Sequence, residues 1–200
     1  MKVDYFEHTA GSYEQNRGRV DNVTAIADAI RQSISLDRAM HIMDFGSGTG
    51  LLLERIAPCV GRITAVDVSG AMNAQLRAKQ EKLGCEIDIV EVDLAKSSLD
   101  QQFDGIVSSM TLHHIENIEA MFGRFYSMLK AGGFIAIADL DTEDGSFHTE
   151  DTGVFHHGFD RHWISEIAAK VGFQAVQVSP TSMIQKPQGD FSVFLLTAVR

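Results

Sequence analysis

The run Asp44-Phe-Gly-Ser-Gly-Thr-Gly50 follows the apolar stretch 40–43 and joins a carboxylate to three glycines at alternate positions. Glycines where a strand should end let the backbone turn sharply and approach a ligand. A helix resuming at Leu51 would then offer its N-terminal amides to an anionic group. A second apolar run, Arg62-Ile-Thr-Ala-Val-Asp67, ends in another carboxylate about twenty residues later, the spacing at which an acidic residue receives ribose hydroxyls in Rossmann arrangements. The competing reading is that Asp67 merely caps a helix starting near Ser69. Together the two runs point to a nucleotide-type cofactor. The dinucleotide fingerprint Gly-x-Gly-x-x-Gly would place its third glycine at position 51, which is Leu, so a nicotinamide cofactor loses ground.

The elements that must position these groups alternate along the chain. Strands are expected at 41–45, 62–67, 86–91, 103–109 and 133–139, with helices near 20–34, 50–57, 70–83 and 117–130. Such alternation predicts an α/β fold, a parallel sheet with helices on both faces. Asp160 is placed to cap a helix through Trp163, Ile164, Ile167, Ala168 and Val171, and Gly172 to end it. The stretches 173–179 and 191–199, separated by Pro180, Pro187 and Gly189, read as a closing hairpin.

These motifs resemble those of the class I S-adenosylmethionine-dependent methyltransferases of the small-molecule type. Asp44, Gly46, Ser47, Gly48 and Gly50 match the family's first motif, and Asp67, with Val68 and Met72 behind it, matches the end of its second strand. Asp93 and Leu94 match the adenine-contacting position after the third strand. The run from Phe103 to Ile115 resembles the fourth strand and the turn lining the cofactor pocket, where Ser109 and Met110 would meet the methionine part. Leu129 to Asp139 resembles the fifth strand and its preceding glycine turn. The resemblance implies a Rossmann-like, doubly wound seven-stranded sheet with an antiparallel last strand. It also implies one domain over 1–200: a helical cap or lid at 1–38, a cofactor-binding core at 39–139, and a substrate-side loop, helix and hairpin at 140–200. Tyr13 is the implied lid contact. The implied chemistry is direct displacement on S-adenosyl-L-methionine by a small-molecule acceptor, with alignment as the protein's main contribution.

If the acceptor must lose a proton, His114, His157 and Asp141 are the candidate bases. The alternative for His113 and His114 is packing or capping at the helix near Glu116. The acidic, glycine-interrupted stretch 140–160 is either the substrate-selecting loop or a solvated loop tucked down by Phe147, Val154, Phe155 and Phe159. No tight ligand spacing suggests a metal.

Composition narrows the partners. The 200 residues carry a formal charge of -10, from 17 Lys plus Arg against 27 Asp plus Glu, without a basic tract to track phosphates, so nucleic acid is not expected. The Asn/Asp-Pro-Pro-aromatic motif of nucleic-acid amino-methylating enzymes is replaced by Ser108-Ser-Met-Thr111. Two isolated cysteines and no long apolar run favour a reducing cytoplasm and no membrane span. A non-catalytic cofactor-binding module and a nicotinamide-dependent oxidoreductase remain the rival readings. Oligomeric state is not legible.

Overall fold

The computed structural model describes residues 4–200, so the first three residues of the expected 1–38 segment lie outside it. Seven strands form one sheet: β1 (His41–Phe45), β2 (Arg62–Asp67), β3 (Glu86–Glu91), β4 (Phe103–Ser109), β5 (Leu129–Leu140), β6 (Gln174–Lys186) and β7 (Gly189–Val199). Their order is β3-β2-β1-β4-β5-β7-β6. The first five run parallel, and β7 inserts antiparallel between β5 and β6. The order reverses between β1 and β4, which opens a crevice at their carboxyl ends.

Helices α1 (Arg17–Ser33), α2 (Leu51–Ile56) and α3 (Gly70–Lys79) cover one face, burying Ile26, Ile30, Leu53 and Leu76 against Ile42, Ile63 and Leu195. On the other face α4 (Ile118–Met128) and α5 (Arg161–Val171) bury Phe122, Phe125, Ile164 and Ala168 against Met43, Phe45 and Ile106. Local chemistry sets the helix starts: the side chains of Asn16, Ser69, Asn117 and Asp160 each accept a backbone N–H three residues on. Gly172, at φ 119°, ends α5 as its sequence position predicts. Among the described residues, no helix is long and apolar enough to cross a membrane.

Two expectations need correction, and helix α1, within the expected 1–38 segment, packs in the core layer. Strand β5 begins at Leu129, four residues early, because the chain pairs with Phe103 before a register shift and absorbs the Gly132-Gly133 step into the strand. Pro180 is not in the hairpin loop but inside β6, an edge strand whose register shifts between Pro180 and Ser182. An edge position tolerates a residue that cannot donate a ladder hydrogen bond.

Candidate active site

The glycine run leaves β1 and turns into α2 with Gly46, Gly48 and Gly50 at φ 70°, 53° and 89°. The glycines serve different ends. A Cβ on Gly46 would lie 2.2 Å from the Thr111 side chain, and one on Gly50 2.6 Å from Leu76; one on Gly48 would meet nothing within 4 Å. Two glycines therefore permit packing, and the third keeps one face of the loop open. Asp67 holds the loop in place: its Oδ2 accepts the Gly48 N–H at 2.8 Å and its Oδ1 the Ser69 N–H at 2.8 Å. Asp67 thus orders the turn before α3 and also faces the glycine loop, while the cap of α3 itself is Ser69. Burial pushes its carboxyl up, against the pull of those backbone hydrogen bonds.

Around Gly48 the buried polar chemistry is incomplete. Asp44 Oδ2, Ser47 Oγ and Thr49 Oγ1 are buried without a hydrogen-bond partner among the described residues, and so is Ser109 Oγ at the end of β4. Leaving such atoms unpaired costs about 1–3 kcal/mol each, so their concentration in one loop suits a polar ligand that completes them. Burial, followed by the nearby charge of Asp67, pushes the Asp44 carboxyl up to about 7. Met110 adds strain: it sits at φ 56° while its N–H donates to Ala138 O at 2.9 Å.

The other expected cofactor contacts fall around this crevice. Val68 is 47% exposed beside Asp67, and Met72 is buried, with its N–H donated to Ser69 Oγ at 3.1 Å. Leu94 is buried, whereas the Asp93 carboxylate closes its own turn by accepting from Ala95 N and Lys96 Nζ. Tyr13 lies under the Arg19 guanidinium, 4.3 Å from its ring centroid, and burial pushes the phenol up. The segment before α1 bridges the crevice. Asp4 Oδ2 accepts from Ser69 Oγ at 2.8 Å and Glu14 pairs with Lys79 on the α3 side, while Phe6 meets the His114 ring edge-on at 5.8 Å on the far side.

The three candidate bases are not brought together. Asp141 is gripped by Arg161 through two hydrogen bonds of 2.6 Å. Burial favours its neutral form, but Arg161 and Ser192 outweigh that and hold the carboxyl below its usual range, which makes it a loop anchor and a poor base. The His157 side chain is 59% exposed, 3.8 Å from Glu143. His114 faces inward, its Nδ1 3.3 Å from Gly153 O; burial, then His113, lower it to about 4. In the 140–160 loop, Phe147 and Phe159 are buried but Phe155 is 56% exposed, so the tucked-loop reading holds only for part of it. Among the described residues, no group of three or more His, Cys, Asp or Glu could hold a metal ion.

The glycine loop and Asp67 thus meet at the β1–β4 reversal. Residues 42–133 match the family model described as a methyltransferase domain. The match covers 92 of the 200 residues, and over that stretch the chain is similar to methyltransferase domains. It is 28% identical over 170 residues to an uncharacterised methyltransferase of Schizosaccharomyces pombe, covering 76% of this chain and 58% of that one. An uncharacterised methyltransferase of Mycobacterium bovis is 30% identical over 102 residues, 50% of this chain and 51% of its own. The chain thus spans less than two thirds of the length of these relatives. The complex of DhpI with S-adenosylhomocysteine has the same fold, with TM-score 0.74 at 19% identity over 97% of this chain and 92% of that one.

Sequence reasoning missed one part of this site. His113, 1% exposed, places its Nδ1 2.6 Å from Asp139 Oδ1, and its backbone N–H donates to Asp139 Oδ2 at 3.2 Å. The rings of His114 and His148 lie 4.2 and 5.1 Å from the His113 ring. The signal was present in strand pairing. Parallel β4 and β5 align Ser109 with Ala138, which sets Asp139 beside the residues that follow Ser109.

Proposed function

We propose that the chain is a class I S-adenosylmethionine-dependent methyltransferase that binds S-adenosylmethionine in the crevice between the glycine loop, Asp67 and the end of β4, and transfers its methyl group to a small-molecule acceptor, releasing S-adenosylhomocysteine. The observation that carries this reading is the set of buried, unpartnered atoms Asp44 Oδ2, Ser47 Oγ and Thr49 Oγ1 around the open side of Gly48. Asp67 is the ribose acceptor, Asp93 and Leu94 lie toward the adenine, Ser109 and Met110 toward the methionine part, and Tyr13 covers it. When bound, the cofactor supplies a methyl group already activated by a sulfonium. The chain's own work is alignment and exclusion of water, for which the bridging segment at 4–15 is placed. Asp44 takes up a further task. A cationic ligand group beside it favours its ionised form, so binding near neutral pH releases part of a proton.

The acidic net charge and the missing basic tract favour a small acceptor over nucleic acid. The test is methyl transfer from labelled cofactor to pools of hydroxyl, amine, thiol and carboxylate acceptors, followed through S-adenosylhomocysteine formation. Product that depends on one pool supports the enzyme. Tight cofactor binding without turnover in any pool supports a non-catalytic binding module instead.

A further inference from the structure

We infer that the open groove between α4 and α5 docks an arginine-bearing segment of a partner protein, with the guanidinium seated on the indole of Trp163 among the carboxylates of Glu116, Glu119 and Glu166. The inference is independent of the methyl-transfer reading, since the groove shares no lining residue with the glycine loop, Asp67 or the end of β4.

The groove follows from how the two helices begin and pack. Asn117 caps α4 and Asp160 caps α5, each side chain accepting a backbone N–H three residues on. On α5, Ile164 and Ala168 are buried in the core. Trp163, Glu166, Ile167 and Lys170 are left at i, i+3, i+4 and i+7 as one stripe lining the groove. The opposite wall is the start of α4 with Glu116 and Glu119. His156 is fixed to that wall, its Nε2 donating to Ile115 O at 3.0 Å and to Glu116 O at 3.3 Å. The walls bound a volume of about 740 Å³.

Trp163 makes this more than a seam between helices. Its residue is 41% exposed, whereas Phe159 behind it is buried, and the two rings stack 4° from parallel with centroids 6.1 Å apart. The His156 ring stands 6.5 Å away. An indole held flat on one side by a buried neighbour presents its other face in a fixed orientation, and an indole face is the best aromatic partner for a cation.

The groove is also short of positive charge. Lys170 is its one lysine or arginine, and its Nζ lies 2.7 Å from Glu119. Glu166 meets His162 at 3.3 Å, and the Glu116 carboxylate has no ion-pair partner among the described residues. Acidic residues at the start of α4 suit its dipole, which accounts for Glu119. That account does not extend to Glu166 in the middle of α5. Three carboxylates against one lysine, in a chain of formal charge -10, favour a cationic partner.

Shape selects the kind of cation. Sites for small molecules bury most of their ligand, but this groove is open to solvent. A compact cation would stay exposed, whereas a protein segment brings surface of its own to cover the rest. A guanidinium is planar, stacks on an aromatic face and forks to carboxylates, which an ammonium does not do. Arginine and tryptophan are also enriched where interfaces concentrate their binding energy.

Trp163 is the only tryptophan, so its emission reports the groove directly. Titrating a synthetic glycine peptide that bears two arginines into the full chain should shift that emission to saturation. The lysine counterpart should bind about threefold more weakly, and a glutamate counterpart should leave the emission unchanged. Glu116→Gln and Glu166→Gln, both at exposed positions, should each weaken the arginine peptide by about two- to fivefold, and added salt should weaken it further. Unchanged circular dichroism in both variants shows that they are folded. Absence of a saturable shift with the arginine peptide, equal affinity for the lysine peptide, or undiminished affinity in both variants overturns the inference. So does a shift that grows with protein concentration alone, which would seat a second copy of the chain in the groove. Saturation by tetramethylammonium at the peptide's own midpoint overturns it as well, in favour of a small-cation site.

Discussion

The side of the crevice proposed for the cofactor is held by short runs of chain acting on one another: Gly48 on Asp67, Asp67 on Ser69, and Ser69 on Met72. The side proposed for the acceptor is held by remote partners. Asp139 reaches back 26 residues to His113, Gly153 reaches 39 to His114, and Arg161 returns to Asp141. The first construction is carried by backbone amides and glycine conformations, which short motifs encode. The second depends on which residues the β4–β5 pairing and a folded-back loop bring together, so it can be rebuilt for a different acceptor without disturbing the cofactor loop.

The largest effect expected from breaking this contrast is within the glycine loop. Gly46→Ala puts a Cβ into the Thr111 side chain at a left-handed φ, and should cost about 3–5 kcal/mol from overpacking and strain together. Gly48→Ala meets nothing within 4 Å, so it should cost only the left-handed penalty of about 1–2 kcal/mol while removing most S-adenosylhomocysteine affinity. Denaturant unfolding and calorimetry on both variants separate packing from binding. Equal losses of stability would contradict the division of roles.

Next comes Asp44. Its folded carboxyl stays protonated to about 7, whereas the unfolded group ionises near about 3.9. Its contribution to stability is full below about pH 4 and lost as pH rises through 7. Asp44→Asn removes that titration. The ligand-free variant should therefore gain on the order of 2–4 kcal/mol over wild type at about pH 8, shrinking toward acid pH, yet bind S-adenosylhomocysteine more weakly.

The acceptor side should respond with the opposite sign. His114 and His148, both lowered to about 4, add stability that is full above about pH 6.5 and lost as pH falls through 4. His148→Gln should flatten the acid limb by about 1 kcal/mol, since the partly exposed ring is screened by solvent. The smallest effect belongs to Asp141→Ala. Loss of the partly exposed Arg161 pair should cost about 1 kcal/mol and leave S-adenosylhomocysteine affinity unchanged.

What was legible in the sequence follows the same division. The strands and helices, the caps at Ser69 and Asp160, and the two runs 44–50 and 62–67 each rest on patterns within a few residues. The His113–Asp139 pair was not read, because neither residue is unusual until strand register aligns Ser109 with Ala138. Asp141 looked like a base until Arg161, 20 residues on, proved to hold it. Pro180 looked like loop because its tolerance depends on β6 being an edge strand, a property of the whole sheet.

The central claim is a cofactor crevice built around Asp67, and calorimetric titration of S-adenosylhomocysteine and NADH into wild type and Asp67→Ala tests it most directly. The account expects micromolar S-adenosylhomocysteine binding, worth about 8 kcal/mol, largely lost in the variant, and no NADH binding in either. NADH binding in preference to S-adenosylhomocysteine, or full S-adenosylhomocysteine affinity in Asp67→Ala, would contradict it.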